Sequence, residues 1–281
     1  MIYELPLVGF TVLAQTAVGA QIVLSLQQLN NNQPATRNLH IARFLVLAVM
    51  AIGFMCSTTH LGSPLRAFNA FNRVGPSALS NEILTGSSFL AIAGLAWLSA
   101  LLNIGGRVVQ KGLSLLSIVV GVVFMFAMAK VYLIPTVPAW FTSNTVIQFW
   151  FTVATLGLLF AATLVQVFGL GQECVLKTLA VIGIAFLSLH LASESLQVML
   201  FGNIDTAIHH GMTQIAVLSG YVTVHVLLMA LALLLWLVSA FVIEGKSSRS
   251  LLMCITLVVL LVAELAGRNV FYGMHFTAGL Y

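Results

Sequence analysis

Apolar residues run through the chain in eight long stretches separated by short polar breaks, at about 6–28, 41–59, 83–103, 113–133, 146–169, 176–200, 214–243 and 251–273. A helix rises about 1.5 Å per residue, so roughly 20 apolar residues are needed to cross about 30 Å of hydrocarbon. Each stretch is long enough for one crossing. The pattern predicts an all-α integral membrane protein, a bundle of eight transmembrane helices, with residues 1–281 as a single polytopic domain. A row of small residues, Ala93, Ala96 and Ala100 with Gly94, predicts close backbone approach along the third helix.

Composition strengthens this reading. The chain is 60% hydrophobic and only 6% charged, against roughly 25% charged in a soluble domain. Too few charges remain to cover a water-soluble surface, and no polar segment is left over to form a separate domain. Met1-Ile2-Tyr3-Glu4 lacks the basic start of a signal peptide, so the first stretch is expected to be a mature helix. Cys56, Cys174 and Cys254 are scattered in or beside apolar stretches without a CxxC pair, which argues against disulfide scaffolds and metal knuckles.

The net charge of +4 reads as a topology signal rather than as a nucleic-acid footprint. One set of alternate connections and helix ends holds seven basic residues, Arg37, Arg43, Arg107, Lys111, Lys177, Lys246 and Arg249; the other set holds Arg66 and Arg73 in its loops. The positive-inside rule makes the first set cytoplasmic and both termini periplasmic.

Ionisable side chains within hydrocarbon cost at least about 2.5–3.5 kcal/mol, so each requires a reason. With that orientation they gather near the outer face: His60 and Glu82 bracket one loop, Lys130 lies near the end of the fourth helix, His190 and Glu194 on the sixth, Glu264 and Arg268 on the eighth. A lipid-soluble quinol matches this pattern, since its tail partitions into the bilayer while its two hydroxyls need acceptors at a defined depth. Blander readings stand beside it. Glu264 and Arg268, four residues apart, suit a mutually neutralising pair; His190 and Glu194 suit a polar seam; Lys130 suits snorkelling to the headgroups.

The connection 60–82 carries Arg66 and Arg73 on the side where positive charge is unexpected, with Phe68 and Phe71 beside them. Arginine with aromatic residues suits a docking surface for another protein; an interfacial loop with snorkelling arginines is the alternative.

The run HLGSPLRAFNAFNRVGPSALSNE at 60–82, with KVYLIPTVPAW at 130–140, AELAGRNVFYGMHFTAGL at 263–280 and LPLVGFTVLAQTAVGAQIV at 5–23, resembles the membrane-anchor subunit of bacterial anaerobic dimethyl sulfoxide reductase. The resemblance extends over essentially the whole chain. It implies a three-subunit complex of the bacterial inner membrane, in which a molybdopterin subunit reduces the terminal acceptor, a ferredoxin-like iron-sulfur subunit carries the clusters, and this subunit oxidises menaquinol. Both partners are then expected on the periplasmic face. It places the quinol-site histidine and glutamate of that family on His60 and Glu82, and matches Arg66 and Arg73. Lys130, Tyr132, Glu264 and Arg268 complete the expected quinol-binding set; Arg66, Phe68, Phe71 and Arg73 form the expected docking set. His190, His209, His210 and His225 match no motif of that family.

A four-iron cluster takes about four thiolates, which three scattered cysteines do not supply, so clusters and molybdopterin belong to partners and no metal is expected in this chain. Two other readings remain. His190 and His225 on facing helices are candidates for axial ligands of a haem b, and intramembrane charges are also a mark of secondary transporters.

Overall fold

A computed structural model describes residues 4–30, 35–59, 64–206 and 209–277, with backbone alone at 64–68. Among them, eight helices are long and apolar enough to cross a membrane: α1 (Leu5–Asn30), α2 (Arg37–Thr59), α3 (Ala78–Leu101), α4 (Gly106–Tyr132), α5 (Ser143–Phe168), α6 (Glu173–Gly202), α7 (Gly211–Phe241) and α8 (Lys246–Gly273). The described residues contain no strand beyond one isolated bridge, Asp205 to His210. Several helices begin before the apolar stretch that announces them, α4 at Gly106 rather than near 113. Hydropathy marks only the part of a helix that lies in hydrocarbon, while its backbone hydrogen bonds continue through polar residues such as Arg107 and Gln110.

The helices α1 and α5 form the centre. Buried residues run right round α1, including Val12, Ala14, Gln15, Ala17, Val18 and Ala20, as expected of a helix enclosed on all sides. It packs against α2, α4, α5 and α8. The crossing of α1 with α5 is close because two glycines face each other: a Cβ placed on Gly157 would lie 2.7 Å from Gly19 Cα. This contact falls at a single π-turn, Val153–Gly157, inside α5. Towards α4, Ser114 Oγ donates to Gln28 Oε1 at 2.8 Å and Gln21 Nε2 donates to Ser117 Oγ at 3.1 Å.

The outer helices bury single stripes. On α3 the stripe is Ser80, Glu82, Gly86, Phe89, Ala93, Ala96 and Ala100; on α6 it includes Ala180, Gly183, Leu187, His190, Glu194, Gln197 and Phe201. Spacings of three and four place such residues on one helix face, so the titratable members of the stripes point inward. The expected small-residue row on α3 is buried at Ala93, Ala96 and Ala100, but Gly94 faces open space. Close approach on α3 occurs at Gly86 instead, beneath the ring of Phe124.

After α2 the chain forms a 3-10 helix, Pro64–Arg73, and turns at Gly75, whose φ of +96° suits glycine. Asn81 pins the turn, accepting from Gly75 N at 2.7 Å and donating to Gly75 O at 3.1 Å. Ser77 caps α3 by accepting from Ser80 N. Glu82 thereby sits about one turn inside α3.

At the opposite ends of the helices, Arg249 makes a two-pronged contact with Glu173, at 2.9 and 2.7 Å, and also donates to Ile243 O. Arg43, counted above among the basic residues of one side, lies inside the bundle. It is 1% exposed within α2, and its guanidinium has no hydrogen-bond partner among the described residues.

Candidate functional site

Near the ends of α2, α3, α4 and α8 lies a cavity of about 1340 Å³. Its walls are mostly apolar, with Leu7 and Phe10 from α1, Phe54 from α2, and Leu90 and Ala91 from α3. On α3 the lining reaches from Leu79 to Ala91, about 18 Å at 1.5 Å per residue. The cavity is therefore deep as well as wide.

Glu82 is the acidic residue of α3 in this lining. It is 3% exposed, and its Oε1 has no hydrogen-bond partner among the described residues. A buried acceptor left unsatisfied costs about 1–3 kcal/mol, more if charged. That cost calls for a donor that the described residues do not supply. A wall of aromatic groups stands nearby: the Tyr132 and Tyr272 hydroxyls meet at 2.5 Å, and Trp140 Nε1 donates to Phe271 O at 2.8 Å while its ring stacks on Phe271. Tyr132, Trp140, Asn269, Tyr272 and His275 all line the cavity.

A second polar cluster lies on the other side of α8, around a cavity of about 30 Å³. His190 Nε2 and His225 Nε2 approach Glu194 Oε1 at 3.4 and 3.3 Å. Behind them, His190 Nδ1 lies 3.4 Å from Glu264 Oε1, and His225 Nδ1 lies 2.7 Å from Ala263 O. Thr152 and Thr155 donate to the two oxygens of Glu264 at 2.9 and 3.2 Å. Arg268 donates to Gln15 Oε1 at 2.8 Å and to Thr152 Oγ1 at 3.2 Å, and its guanidinium lies 4.0 Å over the Phe149 ring. A space of 30 Å³ holds one water or ion. With Glu194 between the two imidazoles, it does not hold a porphyrin.

The sequence-predicted residues thus divide. Glu82, Tyr132 and Phe71 line the large cavity, and Phe71 is exposed as well. Glu264 and Arg268 line the small one, and instead of neutralising each other directly they share Thr152. Lys130 is exposed on α4 and outside the lining of either cavity. Arg73 is exposed on the 3-10 helix. His60 lies outside the described residues, immediately after Thr59 at the end of α2, and the side chains of Arg66 and Phe68 are likewise not among those described. His210 pairs with Asp205 at 3.0 Å, both exposed, and His209 sits beside the Phe276 ring. Sequence reasoning missed Gln15, Thr152, Asn269, Tyr272 and His275. Tyr272 was discoverable, one turn beyond Arg268 on the same helix, and Gln15 was an uncharged polar residue inside an apolar stretch.

Eight apolar helices define a multi-pass membrane protein, and it carries a deep, mostly apolar cavity with a buried acid in its wall. Residues 1–274 match the family model described as DMSO reductase anchor subunit (DmsC), and the protein belongs to that family. It is 35% identical over 285 aligned positions to the C subunit of anaerobic dimethyl sulfoxide reductase from Escherichia coli (strain K12), an alignment that spans 99% of this sequence and 97% of that one. It is 37% identical, with the same coverage, to the corresponding C subunit from Haemophilus influenzae. Identity to the YnfH subunit of anaerobic dimethyl sulfoxide reductase from E. coli is 34% over 284 positions, again spanning 99% of this sequence and 97% of that one.

Proposed function

We propose that this protein is the menaquinol-oxidising anchor of a three-subunit molybdoenzyme reductase in a bacterial inner membrane, serving anaerobic respiration of an S-oxide or N-oxide type acceptor. The observation that carries the reading is the carboxylate oxygen of Glu82, unpartnered among the described residues and buried in the wall of a 1340 Å³, mostly apolar cavity. That volume exceeds the roughly 300–1,000 Å³ of an ordinary small-molecule site, so a fused ring and part of an isoprenoid tail fit together.

Bound there, a quinol supplies two electrons and two protons. Glu82 accepts one hydroxyl proton, and His60, which follows the end of α2, accepts the other. Tyr132 and Tyr272 present hydroxyls in the otherwise aromatic wall, and Phe10, Phe54 and Leu90 exclude water from the ring. The electrons leave to an iron-sulfur subunit seated on the 60–82 connection, whose exposed Arg73 faces it, and continue to a molybdopterin subunit. The seven basic residues at the opposite helix ends support an orientation with the cavity near the periplasmic face. Protons and electrons then depart on one side, and no net charge crosses the bilayer.

The test is Glu82→Gln in the assembled complex. Turnover driven by a reduced menaquinone analogue should fall about 10²–10⁴-fold, the range for removing a general base, while turnover driven by a reduced viologen, which bypasses the quinol, stays at the wild-type rate. Wild-type quinol oxidation by this variant would remove Glu82 from the reaction and overturn the reading.

A further inference from the structure

We propose that His190, Glu194 and His225 bind one divalent transition-metal ion, Zn²⁺ foremost, clasping α6 to α7 inside the bundle. The three residues come from two helices and are all buried, and one ligand atom from each lies within 4.8 Å of the others. Imidazole and carboxylate are the donors Zn²⁺ takes.

The spacing favours an ion over direct hydrogen bonds. Charge-assisted hydrogen bonds close to about 2.7–2.9 Å, yet both imidazole nitrogens stop at 3.4 and 3.3 Å from the shared Glu194 oxygen. Metal-ligand bonds of about 2.0–2.1 Å in a tetrahedron place neighbouring ligand atoms about 3.3–3.4 Å apart. The two separations to Glu194 match such edges, and the third pair of ligand atoms lies within 4.8 Å.

The groups behind the ligands point the same way. His225 Nδ1 donates to Ala263 O at 2.7 Å, which leaves the Nε2 lone pair facing forward. His190 Nδ1 is turned to Glu264 at 3.4 Å, and Glu264 is itself held by Thr152 and Thr155. The carbonyl behind His225 is the usual support of a metal ligand; His190 Nδ1 makes no hydrogen bond among the described residues. Gly267 makes room for this arrangement, because any Cβ there would collide with the His225 ring. Charge balance is consistent with an ion: with both imidazoles neutral, as metal ligands are, the buried carboxylates of Glu194 and Glu264 face a single guanidinium, and Arg268 directs its hydrogen bonds to Gln15 and Thr152. A buried negative excess needs a cation. The adjoining 30 Å³ space takes a water as fourth ligand.

The test uses the intact complex, purified after growth with zinc and washed with a chelator. Elemental analysis should find about one zinc per anchor subunit, and zinc-edge X-ray absorption should show a nitrogen and oxygen shell at about 2.0–2.1 Å with imidazole scattering. E194Q and H225Q should each lose the ion. Wild-type complex without zinc overturns the proposal, as does zinc retained in both variants. If the variants fail to assemble, the wild-type absorption spectrum decides: imidazole ligands support the site, and a sulfur shell overturns it.

Discussion

Glu264 and Arg268 stand one turn apart on α8 yet meet only through Thr152, which accepts from Arg268 Nη2 at 3.2 Å and donates to Glu264 Oε2 at 2.9 Å. Opposite charges on one helix are thus kept apart by a hydroxyl from another, and α5 is tied to α8 by the intervening group. Arg268 reaches on to Gln15 of α1, so three helices meet at this point.

Removing that hydroxyl leaves a buried carboxylate and a buried guanidinium short of a partner. Thr152→Val should destabilise the protein by about 1–3 kcal/mol, and Thr152→Ser should stay near wild type. Thermal unfolding of the detergent-purified complex measures both. Equal stability of the Val variant would show that the hydroxyl is not the tie.

The Gly19 and Gly157 contact leaves no room for a methyl group between two backbones. Gly157→Ala should cost about 1–3 kcal/mol as overpacking, because the obstruction is main chain and cannot rotate away. By contrast, Gly94→Ala faces open space and should be neutral or slightly stabilising, since alanine is the better helix former. Parallel unfolding measurements on the two variants test the difference.

Arg73 lies exposed on the 3-10 helix, where the proposed iron-sulfur partner sits. Arg73→Glu should release the partner subunits from washed membranes at lower salt than wild type, because rim charges act through screened electrostatics. Retention of the partners across the same salt series would place docking elsewhere.

The eight spans were legible because a bilayer demands a long apolar run for each crossing, and that demand is written locally. Glu82 and Tyr132 were also within reach, the first as a costly charge at a helix start and the second within a motif. The division into two sites was not. It depends on which side of α8 each neighbour occupies, and sequence spacing along one helix does not reveal what stands opposite. For the same reason Glu264 and Arg268, four apart, read as partners until Thr152 of another helix was seen between them. The inward aim of His190, Glu194 and Glu82 was available in principle, since each falls on a buried stripe spaced by threes and fours. The burial of Arg43 was not legible either, because counting basic residues by position says which end of a helix they occupy and not what surrounds them.

Helix α8 turns one face to each cavity, with Asn269, Tyr272 and Gly273 on the large one and Glu264, Gly267 and Arg268 on the small. Two of its glycines let α7 press directly on its backbone, His225 at Gly267 and Leu218 at Gly273. Seated this tightly, α8 stands as a bulkhead between two compartments, one greasy and one charged.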